Sequence, residues 1–183
     1  MIIWTQIANA VTMISPLICM LFHRHTNKNN THKHKATRLL SIHIPISFCY
    51  HFISAFNRFL GLRHVLKIAD LSMIHYYALK LSHYFHQKRN VCVQSNLSKL
   101  SFCINSVCII RVCHGHEDTF TRIIGLYICS YNALKDEENL REIISIGSVS
   151  SVLFYYDEHL KNVGHSLFHV LLGILHHKIL LLL

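Results

Sequence analysis

From Met1 to Phe22 the chain carries no charged side chain, and Ile2, Ile3, Trp4, Ile7, Val11, Ile14, Leu17, Ile18, Leu21 and Phe22 supply its apolar bulk. A helix of that length matches the ~30 Å hydrocarbon layer of a bilayer. The segment reads either as a membrane anchor or as a buried hydrophobic stretch. Gln6, Asn9 and Pro16 interrupt it. No Lys or Arg precedes it, and Ala8-Asn9-Ala10 falls too early for a cleavable secretory signal. Arg24, Lys28, Lys33, Lys35 and Arg38 follow, which by the positive-inside rule places this flank in the cytoplasm.

Two later segments bear on the same question. Leu39 to Asn57 is uncharged when its histidines are neutral, but Pro45, His43 and His51 make it a poor second span. If both segments cross, Arg58, Arg63 and Lys67 fall on the outer side, against the rule. Val163 to Leu183 is long enough to cross, yet His165, His169, His176, His177 and Lys178 make it costly unless they face a protein interior.

Charge is distributed unevenly. The 183 residues carry a net +9, but from Met1 to His116 a single acid, Asp70, stands against thirteen Lys and Arg. From Glu117 to Leu183 eight acids stand against five bases. Ala, Val, Gly, Asp and Glu share codons beginning with G, and they supply 15 of the first 116 residues and 17 of the last 67. Ordinary proteins use most of these types heavily. The sequence therefore divides into a basic, acid-poor region 1–116, resembling translated non-coding sequence, and a more protein-like region 117–183. So few Gly and Pro exclude collagen-like or linker character. The fold expected is mostly α-helical, loosely packed or partly disordered, with membrane helices and low order in the front.

Local patterns fill in some elements. Leu62, Val65, Leu66, Ala69 and Met73 share one helical face and Arg63, Lys67 and Asp70 another, which favours a helix whose apolar face meets the core. Asn132 to Ile146 gives the best helix signal, with Asn132 as cap, Asp136, Glu137 and Glu138 early, and Gly147 as stop. VCVQS (91–95) and SVCIIRVC (106–113) have strand-like composition with imperfect alternation. The run HRHTNKNNTHKHKATR (23–38) reads as a solvated loop, in which His23, His25, His32 and His34 bind metal or polyanions only weakly.

Imidazole and thiolate are the preferred donors for zinc and copper. Cys103, Cys108, Cys113, His114 and His116 form a C-x4-C-x4-C-H-x-H run, but five residues advance a helix by about 140 degrees past one turn, so the cysteines do not share a face. His165 and His169 stand one helical turn apart, a spacing that can chelate one metal from one face. With Ser166 rather than Glu in second position, the metalloprotease base is missing. Set in a late apolar segment, His165-Ser-Leu-Phe-His169 resembles the last membrane helix of the superfamily that includes alkaline ceramidases, progestin-type seven-span receptors and myomaker-like proteins. The resemblance covers His165 to Gly173. In that family this pair helps bind zinc. The family's earlier Ser-x3-His and Asp elements are read as missing, because Ser72 is followed by His75 three positions on and not four. The sequence alone therefore carries over neither zinc binding nor amidase activity.

No P-loop, dinucleotide-binding glycine motif, nucleophile elbow or C-x-x-C occurs. Asn29-Asn30-Thr31 and Asn96-Leu97-Ser98 fit the glycosylation pattern. Seven cysteines without the spacing of a secreted scaffold favour reduced thiols. The leading functional expectation is a membrane-associated orphan-frame polypeptide without enzymatic activity, cofactor or specific nucleic-acid partner, the lipid bilayer being the partner expected and protein partners being left open. The alternatives are a membrane metal-binding protein or hydrolase fragment that holds zinc with His165 and His169, and a basic protein that binds polyanions non-specifically.

Overall fold

Pro16 sets the first feature of the fold. It has no N–H to give the Thr12 carbonyl, so the N-terminal helix is interrupted at Met13 into α1 (Ile2–Thr12) and α2 (Ile14–Thr26). The computed structural model describes residues 2–26, 30–56, 60–89, 96–116, 119–135, 137–157, 159–160 and 163–183. Within them follow α3 (Thr31–Ala55), α4 (Leu60–Lys88), α5 (Asn96–Cys113), α6 (Thr119–Leu134), α7 (Leu140–Tyr155) and α8 (Gly164–Leu182). The described residues contain no strand. The class is mostly α-helical.

Successive rods alternate in direction. At one end of the bundle His51, late in α3, meets Gln6, early in α1, and Ser166 at the start of α8 meets Asn9. At the other end Asn30 bonds the Leu183 carbonyl, Lys88 the Leu182 carbonyl, and Arg89 pairs with Glu137 at 2.9 Å. Lys178 of α8 reaches Glu142 of α7 there at 2.7 Å. With α1 and α2 taken as one broken rod, seven rods run up and down between these ends.

The second end holds the apolar core, in which Leu40, Leu81, Phe85, Leu134, Ile179 and Leu180 are buried together. Around that core the exterior is apolar and much of the rest of the interior is polar. Trp4 is 75% exposed, and Ile18, Phe52, Phe102, Ile110, Val152 and Leu181 also face outward. Buried instead are Asn9, His43, Ser47, His51, Asp70, His75, Asn105, Asn132 and His169. Most of these polar groups pair internally: His75 Nδ1 donates to Asn105 Oδ1 at 2.8 Å, and Asn105 Nδ2 donates to the carbonyls of Ser101 and Gly125. Among the described residues three helices are long and apolar enough to cross a membrane: Ile3–His25, Asn96–Cys113 and Gly164–Leu182.

Several expectations need correction. Leu62 and Val65 face outward, Val65 being 61% exposed, whereas Asp70 is 4% exposed; the apolar face of this helix points away from the core, because Asp70 finds its partner, His43, inside. The described part of the run 23–38 is mostly helical rather than a loop. His23 to Thr26 complete α2, and Asn30 caps α3 by accepting the N–H groups of His32 and Lys33. Asn132 starts no helix: it lies buried near the end of α6, its Nδ2 donating to Ser82 Oγ at 3.3 Å, and the chain turns before α7. Gly147 does not stop α7, which continues to Tyr155. SVCIIRVC is helical, within α5. The front of the chain is not loose, since α3 and α4 are the longest helices, of 25 and 29 residues, and bury Leu40, Leu81 and Phe85. Lys28, Asn29, Asn57, Arg58, VCVQS, Glu117 and Asp136 lie outside the described residues.

The α2–α8 crossing depends on Gly173. A Cβ there would meet the backbone carbonyl carbon of Ser15 at 2.7 Å and the Pro16 nitrogen at 2.9 Å. Backbone cannot step aside as a flexible side chain can. Gly173→Ala is expected to destabilise the bundle by about 1–3 kcal/mol, as overpacking does. The check is the unfolding midpoint in detergent micelles; a midpoint equal to wild type would show that the helices do not cross this closely.

Candidate metal centre

His165 and His169 lie in the first turns of α8, one turn apart as the spacing requires. The Asp157 carboxylate fixes the start of that helix by accepting the His165 backbone N–H at 2.8 Å. The crossing of α3 brings His51 against the pair. The three ring centroids form a near-equilateral triangle: His51 to His165 is 4.8 Å, His51 to His169 is 5.0 Å, and His165 to His169 is 4.8 Å. One ring nitrogen from each residue lies within 4.8 Å of the other two.

The outer contacts set which nitrogen is offered. The Asn9 backbone carbonyl can only accept, so His169 Nδ1 carries the proton and donates to it at 2.9 Å. Thr12 Oγ1 lies 3.2 Å from the same nitrogen. The His51 Nδ1–H likewise faces Gln6 Oε1 at 3.1 Å. In both rings Nε2 is left with its lone pair, and an acceptor behind the ring is the usual support of a metal-binding histidine. Ser166 Oγ donates to Asn9 Oδ1 at 2.7 Å and ties α8 to α1 at this level. Phe154 and Phe168 pack against His165, with centroids 4.9 and 5.9 Å away, and close the site on the apolar side.

A cavity of about 180 Å³ opens beside the pair, lined by His43, Ser47, Asp70, Arg122, His165 and His169 among others. Within it His43 Nε2 lies 3.0 Å from Asp70 Oδ1, both side chains being buried. Three imidazoles, two of them with an acceptor behind the ring, and room for a fourth ligand fit a tetrahedral zinc ion.

No family model matches the chain, and neither a curated protein nor a solved structure is similar to it. The geometry therefore stands on its own residues.

The structure brings His165 and His169 together and adds His51, which the sequence reading missed. The signal was present. Ser47 and His51 hold the Ser-x3-His spacing that Ser72 and His75 do not, and both Ser47 and Asp70 line the cavity beside the pair. The other candidate set is not assembled. Cys103 and Cys113 are exposed on α5, Cys108 is buried with its thiol 3.9 Å from the Thr121 carbonyl, and His114 and His116 lie beyond the helix end. The five-residue spacing distributes them around the helix, as its pitch dictates. Among the described residues these side chains form no metal-binding group.

The support behind His51 gives a further expectation. Gln6→Ala removes one outer contact and leaves all three imidazoles in place. Zinc affinity of the detergent-purified protein is expected to fall by about 10–100-fold. Unchanged affinity in a competition titration would show that Gln6 does not orient the ring.

Proposed function

We propose that this chain is an integral membrane protein that binds zinc between its helices through His51, His165 and His169. The observation that carries the reading is a polar interior beneath an apolar exterior, with three imidazoles converging inside it. In water that distribution costs free energy twice, through exposed apolar surface and through desolvated polar groups. In lipid the exterior is at home, and ionisable residues that face the bundle interior are the ones expected to serve function. The resemblance of His165 to Gly173 to a zinc-binding membrane superfamily points the same way.

Orientation follows from charge. Arg24, Lys33, Lys35, Lys88, Arg89 and Lys99 gather at the end where α2, α4 and α8 finish, against Arg63, Lys67, Arg111 and Arg122 at the other. The crowding is felt there. Lys33 is held below its ordinary pKa by burial and by the Lys88 charge, and His83 below its own by burial and by Lys80, His86, His32 and Lys35. The positive-inside rule places this end, with the C-terminus, in the cytoplasm.

The cavity favours a second, narrower reading, hydrolysis of an ester or amide bond in an apolar substrate. Zinc, when bound, supplies Lewis acidity and acidifies water in an open fourth position. The chain's own residues hold the metal, present the His43–Asp70 pair to the cavity, and shield it with Phe154 and Phe168.

Two measurements test the proposal. Alkaline carbonate extraction of expressing cells is expected to leave the protein in the membrane pellet; release into the supernatant would overturn the membrane assignment. Protein purified in detergent is expected to hold zinc that His165→Asn with His169→Asn removes. Equal zinc content in the double variant would overturn the site.

A further inference from the structure

A second group of metal-ligating side chains sits at the other end of α8. Cys19 and His23 are one helical turn apart on α2, and His177 approaches them from α8. Cys19 and His23 are buried and His177 is partly so, and one ligand atom from each lies within 4.8 Å of the other two. His23 Nε2 and His177 Nδ1 are 3.1 Å apart, with ring centroids at 5.1 Å and planes tilted by 44°. Phe22 packs edge-on against both imidazoles.

We propose that Cys19, His23 and His177 form a second metal site, a Cys-His-His cradle for a d10 transition-metal ion, Zn2+ or Cu+, that clasps α2 to α8. Two nitrogens on one tetrahedral zinc, each ~2.0–2.1 Å from it, stand roughly 3.3 Å apart, close to the separation these rings already have. Thiolate with imidazole selects zinc or cuprous copper over the hard cations. On binding, the Cys19 thiol gives its proton to solvent as the sulfur–metal bond forms, and each imidazole donates a lone pair. His177 lies twelve positions beyond His165, ~18 Å along the helix, so the two sites hold separate ions. This site contains sulfur and the three-histidine site does not, which makes the two spectroscopically distinct.

Cobalt titration of the full chain in detergent micelles tests the proposal, with Co2+ as the zinc surrogate. The expected result is a near-ultraviolet thiolate-to-cobalt charge-transfer band that saturates by two equivalents in wild type and near one equivalent once the three-histidine site is removed. Cys19→Ser abolishes it, His177→Asn weakens cobalt binding at this band at least tenfold, and Cys108→Ser leaves it unchanged. His165→Asn with His169→Asn also leaves the band in place, so failure of the three-histidine site reads separately from failure of this one. Zn2+ added afterwards bleaches the band. No band in wild type, or a band that persists in Cys19→Ser, overturns the proposal; the first result would mean that His23 and His177 share only an N–H···N hydrogen bond.

Discussion

His51→Asn is expected to remove zinc from the three-histidine site as completely as His165→Asn or His169→Asn does. Two imidazoles one turn apart on a helix are common wherever histidine is abundant, and 17 of the 183 residues here are histidine. The third ring is what turns a pair into a centre, and it comes from a helix more than a hundred residues earlier in the chain. Its centroid is 4.8 and 5.0 Å from the other two, and Gln6 fixes its tautomer. Loss of one of three ligands should exceed the ~10–100-fold that an outer contact such as Gln6 contributes. The readout is zinc per chain after dialysis in detergent, with Cys19→Ser and His177→Asn as background so that the second group is left with a single ligand. Wild-type zinc content in His51→Asn, with loss in His165→Asn, would reduce the centre to the helical pair.

Asp70→Ala is expected to cost the largest amount of stability of any single truncation in the polar interior. Asp70 is the only acid before Glu117, and it lies buried 3.0 Å from His43 Nε2, where α3 and α4 cross. Breaking a buried pair by removing one partner typically costs about 3–5 kcal/mol, because the remaining group is left desolvated without its partner. Asp70→Asn keeps an oxygen that can accept the His43 N–H, so it should cost less, about 1–3 kcal/mol. Unfolding in mixed micelles measures both. A loss below about 0.5 kcal/mol in Asp70→Ala would mean that water reaches the pair.

The helical class was legible because long uncharged stretches leave few alternatives, and α8 matches the apolar segment from Val163 onward. Boundaries were less so. Asn132 has the chemistry of a cap, but its amide bonds Ser82 across the bundle, a contact that no local pattern contains. The direction of burial along α4 was read in the sense proper to water, with Leu62 and Val65 inward, whereas the partners of Asp70 and His75 draw the polar face inside. Gln6 and Asn9, which weaken the first segment as an anchor, are the residues that support His51 and His169. The acid-poor composition of the front region says nothing of this, because the proposed zinc site draws there on His51, the Gln6 side chain and the Asn9 backbone carbonyl. Half of the proposed metal centre could be read from one helix. The other half is tertiary, and only the Ser47–His51 spacing hinted at it.

Zinc-edge X-ray absorption on the Cys19→Ser protein, loaded with one equivalent of zinc in detergent micelles, tests the central claim most directly. The account predicts a first shell of nitrogen and oxygen alone at ~2.0–2.1 Å, with outer-shell scattering from three imidazoles that falls to two in His51→Asn. A sulfur shell near ~2.3 Å, or zinc that washes out before measurement, would contradict it.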